Sequence, residues 1–130
     1  MSETREPIIL IVEDEPKMAY VLRQALQEHG YRPHTALNGF EALSSLQATP
    51  PAAVILDLNL PGLSGLELLQ RLRQQFPQTK VIILSGHIQE YSQLASELGV
   101  EEILQKPVQL EALMGSLTRL VPLDSSPPSS

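Results

Sequence analysis

Hydrophobic residues follow two alternating patterns along the chain. Short apolar runs, such as Ile8 to Val12 and Val81 to Leu84, are typical of strands buried on both faces. Between them, apolar residues recur every three or four positions, which predicts amphipathic helices. The predicted strands are 8–12, 32–36, 53–58, 80–84 and 102–105, and the predicted helices are 16–29, 40–47, 64 or 65 to 76, 89–98 and 110–120. This alternation predicts an α/β fold, a doubly wound parallel sheet with helices on both faces.

Proline and glycine mark several of these boundaries. Pro16 suits a first helical turn, and Gly30 and Gly99 suit the ends of helices. Pro33 lies within the second strand, which predicts an edge position because proline cannot donate to a ladder. On the first helix, the residues predicted to share the buried face are Met18, Val21, Leu22, Ala25 and Leu26.

Polar residues suited to phosphate or metal chemistry stand at the ends of the predicted strands. Glu13 and Asp14 follow the first predicted strand, and Asp57 follows the apolar part of the third strand. Ser85 follows the fourth strand, and Lys106 follows the fifth strand. In an open parallel sheet these ends converge on one ligand site. Three carboxylates there would raise one another's pKa unless a cation lies among them, and oxygen ligands suit Mg²⁺. The sequence therefore predicts a Mg²⁺ site formed by Glu13, Asp14 and Asp57, with the backbone carbonyl of Asn59 as a fourth candidate ligand.

Composition narrows the possible functions. The chain has 130 residues, no cysteine and a formal net charge of −6. The absence of cysteine excludes disulfides and thiolate sites and favours the cytoplasm. The acidic balance argues against nucleic-acid binding by this domain, and no apolar segment is long enough to suggest a membrane span. We expect one folded domain over residues 1–121 and a disordered Pro/Ser-rich tail or linker over 122–130.

Four motifs together resemble the signature of response-regulator receiver domains of two-component signalling. They are Val12-Glu13-Asp14-Glu15, Leu56-Asp57-Leu58-Asn59-Leu60-Pro61-Gly62, Leu84-Ser85-Gly86-His87 and Leu104-Gln105-Lys106-Pro107. The resemblance covers about residues 7–121 and implies a flavodoxin-like sheet in the order 2-1-3-4-5. It also implies a cis Lys106-Pro107 bond.

The resemblance further implies a signalling phosphoacceptor rather than an enzyme with a separate substrate. Asp57 would accept a phosphoryl group, with Mg²⁺, from a histidine kinase or phosphotransfer protein. The domain would promote its own phosphorylation and dephosphorylation, assisted by Lys106 and Ser85. Its switched surface would then act on an unidentified downstream protein or effector domain, and we expect a monomer or weak dimer.

Three positions differ from what the family often has. Glu13 stands in place of Asp, Gly86 in place of Ala, and Ile103 in place of an aromatic residue that changes rotamer on switching. Gly86 leaves backbone freedom beside Ser85. We hypothesise that His87 lies at the rim of the site and modulates loss of the phosphoryl group, because imidazole titrates near neutral pH. A solvated histidine without a role is the competing interpretation.

Other functions fit the residues less well. A haloacid-dehalogenase-like phosphatase also uses a nucleophilic Asp, but requires a second Asp where this chain has Asn59. A nucleotide- or flavin-binding module needs a Gly-rich loop after the first strand, where this chain has carboxylates. A degenerate receiver that acts only as a phosphorylation-independent docking module is the main alternative. Asp57 or Glu13-Asp14 alone could also be a helix cap or a complement to a helix dipole.

Overall fold

The computed structural model describes residues 6–58 and 65–123. Over these ranges strands and helices alternate throughout. The elements are β1 (Ile8–Val12), α1 (Pro16–Glu28), β2 (Arg32–Ala36), α2 (Gly39–Ala48), β3 (Ala53–Asp57), α3 (Gly65–Gln75), β4 (Lys80–Ser85), α4 (Ile88–Glu97), β5 (Glu102–Gln105) and α5 (Leu110–Leu120). Each predicted element is present, and no end differs from its prediction by more than one residue.

The strands form one parallel sheet in the order β2-β1-β3-β4-β5, which confirms the predicted topology. β2 lies at the edge, where Pro33 is tolerated because one side of the strand has no ladder partner. Chain order and strand order reverse beside β1, so the carboxyl ends of β1 and β3 flank the position where α/β sheets bind ligands.

Two hydrophobic layers cover the faces of the sheet. Side chains alternate along each strand, so Ile9 and Ile11 enter one layer while Leu10 and Val12 enter the other. The first layer is closed by α1 and α5, and the second by α2, α3 and α4. The central strand β3 is buried along its whole length, which explains its uninterrupted apolar sequence. None of the helices in the described ranges is long and apolar enough to cross a membrane.

The prediction for Val21 was wrong. Val21 remains 42% exposed, whereas Ala19 is buried with Leu22, Ala25 and Leu26. At 100° per residue, Val21 lies about 100° from Leu22 around the helix axis, at the margin of the apolar stripe. Ala19 lies only about 60° from Leu22 on the other side, so it belongs to the buried face.

The chain after α5 packs back onto the start of β2. The hydroxyl of fully buried Tyr31 donates a hydrogen bond of 2.7 Å to the carbonyl of Val121. Leu123 packs against the α1–α5 layer beside Gly30, whose φ of +92° ends the α1 region. Residues 124–130 of the predicted tail lie outside the described residues.

Candidate functional site

The carboxyl ends of four neighbouring strands bring the predicted chemical groups to one edge of the sheet. Asp57 is the last residue of β3 and pairs in register with Leu84 of β4. Glu13 directly follows β1, and its backbone N–H donates to the carbonyl of Ala36 at 3.0 Å. Lys106 directly follows β5, and its N–H donates to the carbonyl of Ser85 at 2.9 Å. The backbone ladder therefore sets the positions of these side chains.

Three carboxylates form a cluster at this edge. One oxygen each from Glu13, Asp14 and Asp57 lies within 4.8 Å of the others. Glu13 and Asp57 are each only 2% exposed, while Asp14 is exposed. The arrangement is a buried acidic pair with a third carboxylate at the solvent side, and it brings together the three side chains predicted to hold a metal.

Glu13 has an unfavourable environment when it is ionised. One carboxylate oxygen, Oε2, accepts a hydrogen bond from the backbone N–H of Glu15 at 3.2 Å. The other, Oε1, is buried and has no hydrogen-bond partner within the part of the chain that the structure describes. Burial raises the pKa of Glu13 from 4.5 to about 7, and the negative charge of Asp57 is the second largest cause. The positive charge of Lys106 acts in the opposite direction and lowers this pKa.

These carboxylates fit a hard divalent cation. Glu13 Oε1, which is buried and has no partner among the described residues, lies beside two further carboxylates, and together they supply the oxygen ligands that Mg²⁺ prefers. Exposed Asp14 leaves the site open to water. The predicted fourth ligand, the carbonyl of Asn59, lies outside the described residues.

Lys106 holds the end of β3 through an ion pair. Its ammonium nitrogen lies 2.9 Å from Oδ2 of Asp57, and Lys106 is half-buried. Burial alone would lower the pKa of Lys106, but the hydrogen bond and charge of Asp57, with the charges of Glu13 and Asp14, raise it. The side chain of Lys106 therefore remains positively charged beside Asp57. The Lys106-Pro107 bond is cis, as the family resemblance implied.

The end of β4 and the loop before α4 contribute Ser85, Gly86 and His87. Ser85 is 4% exposed, and its Oγ accepts a hydrogen bond from the backbone N–H of His87 at 2.9 Å. Gly86 is exposed, and among the residues that the structure describes no heavy atom would lie within 4 Å of a Cβ at this position. His87 is also exposed. Both residues line a shallow pocket of about 240 Å³, together with Ile88, Gln89 and Gln105.

Sequence reasoning missed Gln105. Its side-chain amide nitrogen donates to the carbonyl of Gly86 at 3.0 Å and to the carbonyl of Lys106 at 3.2 Å. Gln105 thus connects the end of β5 to the loop that follows β4. No sequence pattern distinguishes this glutamine from an ordinary exposed one, because the bond depends on the register between β4 and β5.

Comparison with known proteins decides the family. The family model described as "Response regulator receiver domain" matches residues 9–118. The chain belongs to the response-regulator receiver domain family. This membership confirms the resemblance and decides against the phosphatase and nucleotide-binding alternatives. It does not distinguish a phosphorylatable receiver from one that acts only by docking.

Relatives of this receiver domain include both long and short proteins. The "Uncharacterized transcriptional regulatory protein YkoG" of Bacillus subtilis is 39% identical over 110 residues, 84% of this chain and 48% of that protein. The "Sporulation initiation phosphotransferase F" of the same organism is 29% identical over 119 residues, 91% of this chain and 96% of that protein. The chain spans about half the length of the first of these relatives and nearly all of the second.

Solved receiver structures share the fold. The response regulator TrrA of Thermotoga maritima, in complex with Mg²⁺ and BeF, superposes with a TM-score of 0.81 at 35% identity. The match covers 88% of this chain and 99% of that one. This agreement confirms the flavodoxin-like architecture predicted from the motifs.

Proposed function

We propose that this receiver domain accepts a phosphoryl group on Asp57 and thereby switches its surface for a downstream partner. The observation that carries the proposal is the ion pair of 2.9 Å between Lys106 and Asp57, formed beside the cluster of Glu13, Asp14 and Asp57. This combination places a nucleophilic carboxylate, a fixed positive charge and cation ligands at one edge of the sheet. A docking module without phosphorylation would not need these groups together.

Glu13, Asp14 and Asp57 are the side chains that would hold Mg²⁺, with the Asn59 carbonyl as a further proposed ligand. When bound, the ion neutralises negative charge on the carboxylates and on the phosphoryl oxygens. Burial of Glu13 and Asp57 lowers the local dielectric, so fixed charges in the site act more strongly than they would in water. The exposed position of Asp14 keeps this part of the site accessible.

Asp57 acts as the nucleophile toward a phosphohistidine of a kinase or phosphotransfer protein. One oxygen of Asp57 forms the new P–O bond while the N–P bond to the donor imidazole breaks. The electron pair of that bond returns to the donor nitrogen. Lys106 keeps Asp57 oriented before transfer and faces the negative charge that accumulates on the phosphoryl oxygens afterwards.

Ser85 would couple the new phosphoryl group to the surface. Phosphoryl oxygens are strong acceptors, and a small movement of the Ser85 hydroxyl toward them would shift the loop that leads into α4. Gly86, which is exposed and follows Ser85, gives the backbone freedom for such a movement. His87, also exposed, lies two residues from Ser85 and is proposed to modulate phosphoryl loss at the rim.

Two comparisons support this function. The short Bacillus subtilis relative is named a phosphotransferase, and the Thermotoga maritima receiver was solved with Mg²⁺ and BeF, groups of the kind that this site is proposed to take. The longer relative is named a transcriptional regulatory protein. We propose a histidine kinase or phosphotransfer protein as donor and a separate protein or attached effector domain as target.

Mass spectrometry of the intact protein tests the proposal. Incubation with acetyl phosphate and Mg²⁺ should add one phosphoryl group, and chelation of the cation should abolish the addition. The near-isosteric variant Asp57→Asn should gain no mass because the amide is a poor nucleophile, while Asp14→Asn should react more slowly. An unmodified wild-type protein, with folding verified by circular dichroism, would refute the function and favour the docking module.

A further inference from the structure

A series of hydrogen bonds leads from Asp57 to the β4–α4 loop. Asp57 pairs with the Lys106 ammonium, and the Lys106 backbone N–H donates to the Ser85 carbonyl. The side chain of Gln105 adds a parallel bond of 3.0 Å to the next carbonyl, that of Gly86. Lys106 and Gln105 therefore hold two successive carbonyls, that of Ser85 at the end of β4 and that of Gly86 in the loop.

The loop held by Gln105 has room to move. Within residues 6–58 and 65–123, no heavy atom lies within 4 Å of a Cβ position at Gly86, and the pocket beside the loop measures about 240 Å³. The Ser85 hydroxyl is engaged by the His87 N–H at 2.9 Å, so the loop is closed on itself in this state. A shift of Ser85 toward Asp57 would change both this bond and the distance from Gly86 to Gln105.

The usual aromatic partner of such a movement is absent from this chain. Ile103 occupies that position and packs partly buried against the core, where its aliphatic side chain offers no polar group to the loop. Gln105 lies two residues further along the same strand. Of the β5 side chains, Gln105 is the one for which the structure records a hydrogen bond to the β4–α4 loop.

We propose that Gln105 is a positioning residue that holds the β4–α4 loop in its unphosphorylated arrangement and releases it when Asp57 is phosphorylated. The inference rests on the proposed phosphoacceptor function. A bond present only in the resting state opposes the switch by its own free energy. Removal of that bond should therefore favour the phosphorylated arrangement and not merely weaken the fold.

The variant Gln105→Met tests the inference because methionine is similar in length and has no N–H donor. Gln89→Met is the matched control, since Gln89 lines the same pocket from α4. In the absence of any phosphoryl group, amide exchange at His87 should accelerate in Gln105→Met and remain as in the wild type in Gln89→Met. This measurement reports on the loop alone.

The second measurement is the affinity of the domain for beryllium fluoride in the presence of Mg²⁺. Beryllium fluoride forms an adduct on carboxylates that resembles a phosphoryl group. Loss of one resting-state hydrogen bond should tighten binding by about two- to tenfold in Gln105→Met, with no change in Gln89→Met. A residue that only stabilises the fold would produce the opposite sign, weaker binding. Equal or weaker binding by Gln105→Met, while the wild type binds, overturns the positioning role alone. A wild-type domain that forms neither the beryllium adduct nor the acyl phosphate overturns the phosphoacceptor function, and this switch with it.

Discussion

The buried carboxyl of Glu13 predicts that the metal-free domain loses stability as pH rises. The pKa of this carboxyl is about 7 in the folded protein, because burial and the charge of Asp57 raise it from the ordinary glutamate value of 4.5, which applies to the unfolded chain. Between these values the folded state binds a proton that the unfolded state has released. The contribution is fully present below about pH 4.5 and is lost as pH rises through about 7. At about 1.4 kcal/mol per pH unit, the full loss is on the order of 3–4 kcal/mol, of which about 2–3 kcal/mol falls between about pH 5 and about pH 8.

Urea unfolding with chelator, at about pH 5 and about pH 8, measures this loss. Other groups titrate over the same interval, so the informative quantity is the difference between wild type and Glu13→Gln. The side-chain amide of Glu13→Gln cannot ionise. Between the two pH values, we expect the free energy of unfolding of this variant to fall by about 2–3 kcal/mol less than that of the wild type. Glu28→Gln, a change at an exposed position of α1, should retain the wild-type pH dependence.

Magnesium should reverse the effect at the higher pH. A ligand that binds only the folded state, present at a concentration about 100 times its Kd, adds about 2.7 kcal/mol to the free energy of unfolding. This gain is close to the loss caused by Glu13. Parallel pH profiles for wild type and Glu13→Gln would contradict the electrostatic reasoning. Failure of Mg²⁺ to stabilise the wild type at about pH 8 would contradict the assignment of the cluster as a cation site.

Two further predictions concern α3 and the rim. Gly65→Ala should destabilise the fold by about 1–3 kcal/mol, because its Cβ would lie 2.7 Å from the Cα of Leu58. At Gly115, a Cβ would meet no described residue within 4 Å outside the backbone of its own helix. Gly115→Ala should therefore stabilise α5 by about 0.5–1 kcal/mol in the same urea titration; equal effects of the two changes would refute the steric argument. His87→Ala should lengthen the lifetime of the acyl phosphate, followed by mass, because an imidazole at the rim can take a proton from attacking water. An unchanged lifetime would leave His87 as a solvated loop residue.

The sequence predicts the sheet well because each strand carries a strong local signal. β3, for example, is buried at every position, so its sequence is a continuous apolar run that predicts a strand. The end of each such run then predicts the end of its strand. Parallel topology then brings Glu13, Asp57 and Lys106 to one edge without any knowledge of side-chain geometry. Position along the chain is sufficient to predict which groups meet.

Details that depend on angles and register are less accessible. Val21 is exposed because it lies about 100° from Leu22 around the axis of α1, whereas Ala19 lies only about 60° away on the other side. The bond from Gln105 to Gly86 requires the pairing of Ser85 with Gln105 across β4 and β5, a non-local fact. The lack of a hydrogen-bond partner for Glu13 Oε1 within the described ranges depends on how side chains surround it. Such contacts exist only once the strands are aligned.

The electrostatic imbalance that is predicted to weaken the metal-free domain would also couple the two proposed ligands of the site, the cation and the phosphoryl group. When ionised, the three carboxylates and one ammonium of Lys106 leave an excess of negative charge at the buried edge. A phosphoryl group on Asp57 would add to that excess, so a bound cation would favour phosphorylation. Because binding free energies are reciprocal, phosphorylation must raise the affinity for the cation by the same factor. Substitution of Glu13 by a neutral side chain would therefore relieve the resting domain and weaken this coupling together, since both effects originate in one buried carboxylate.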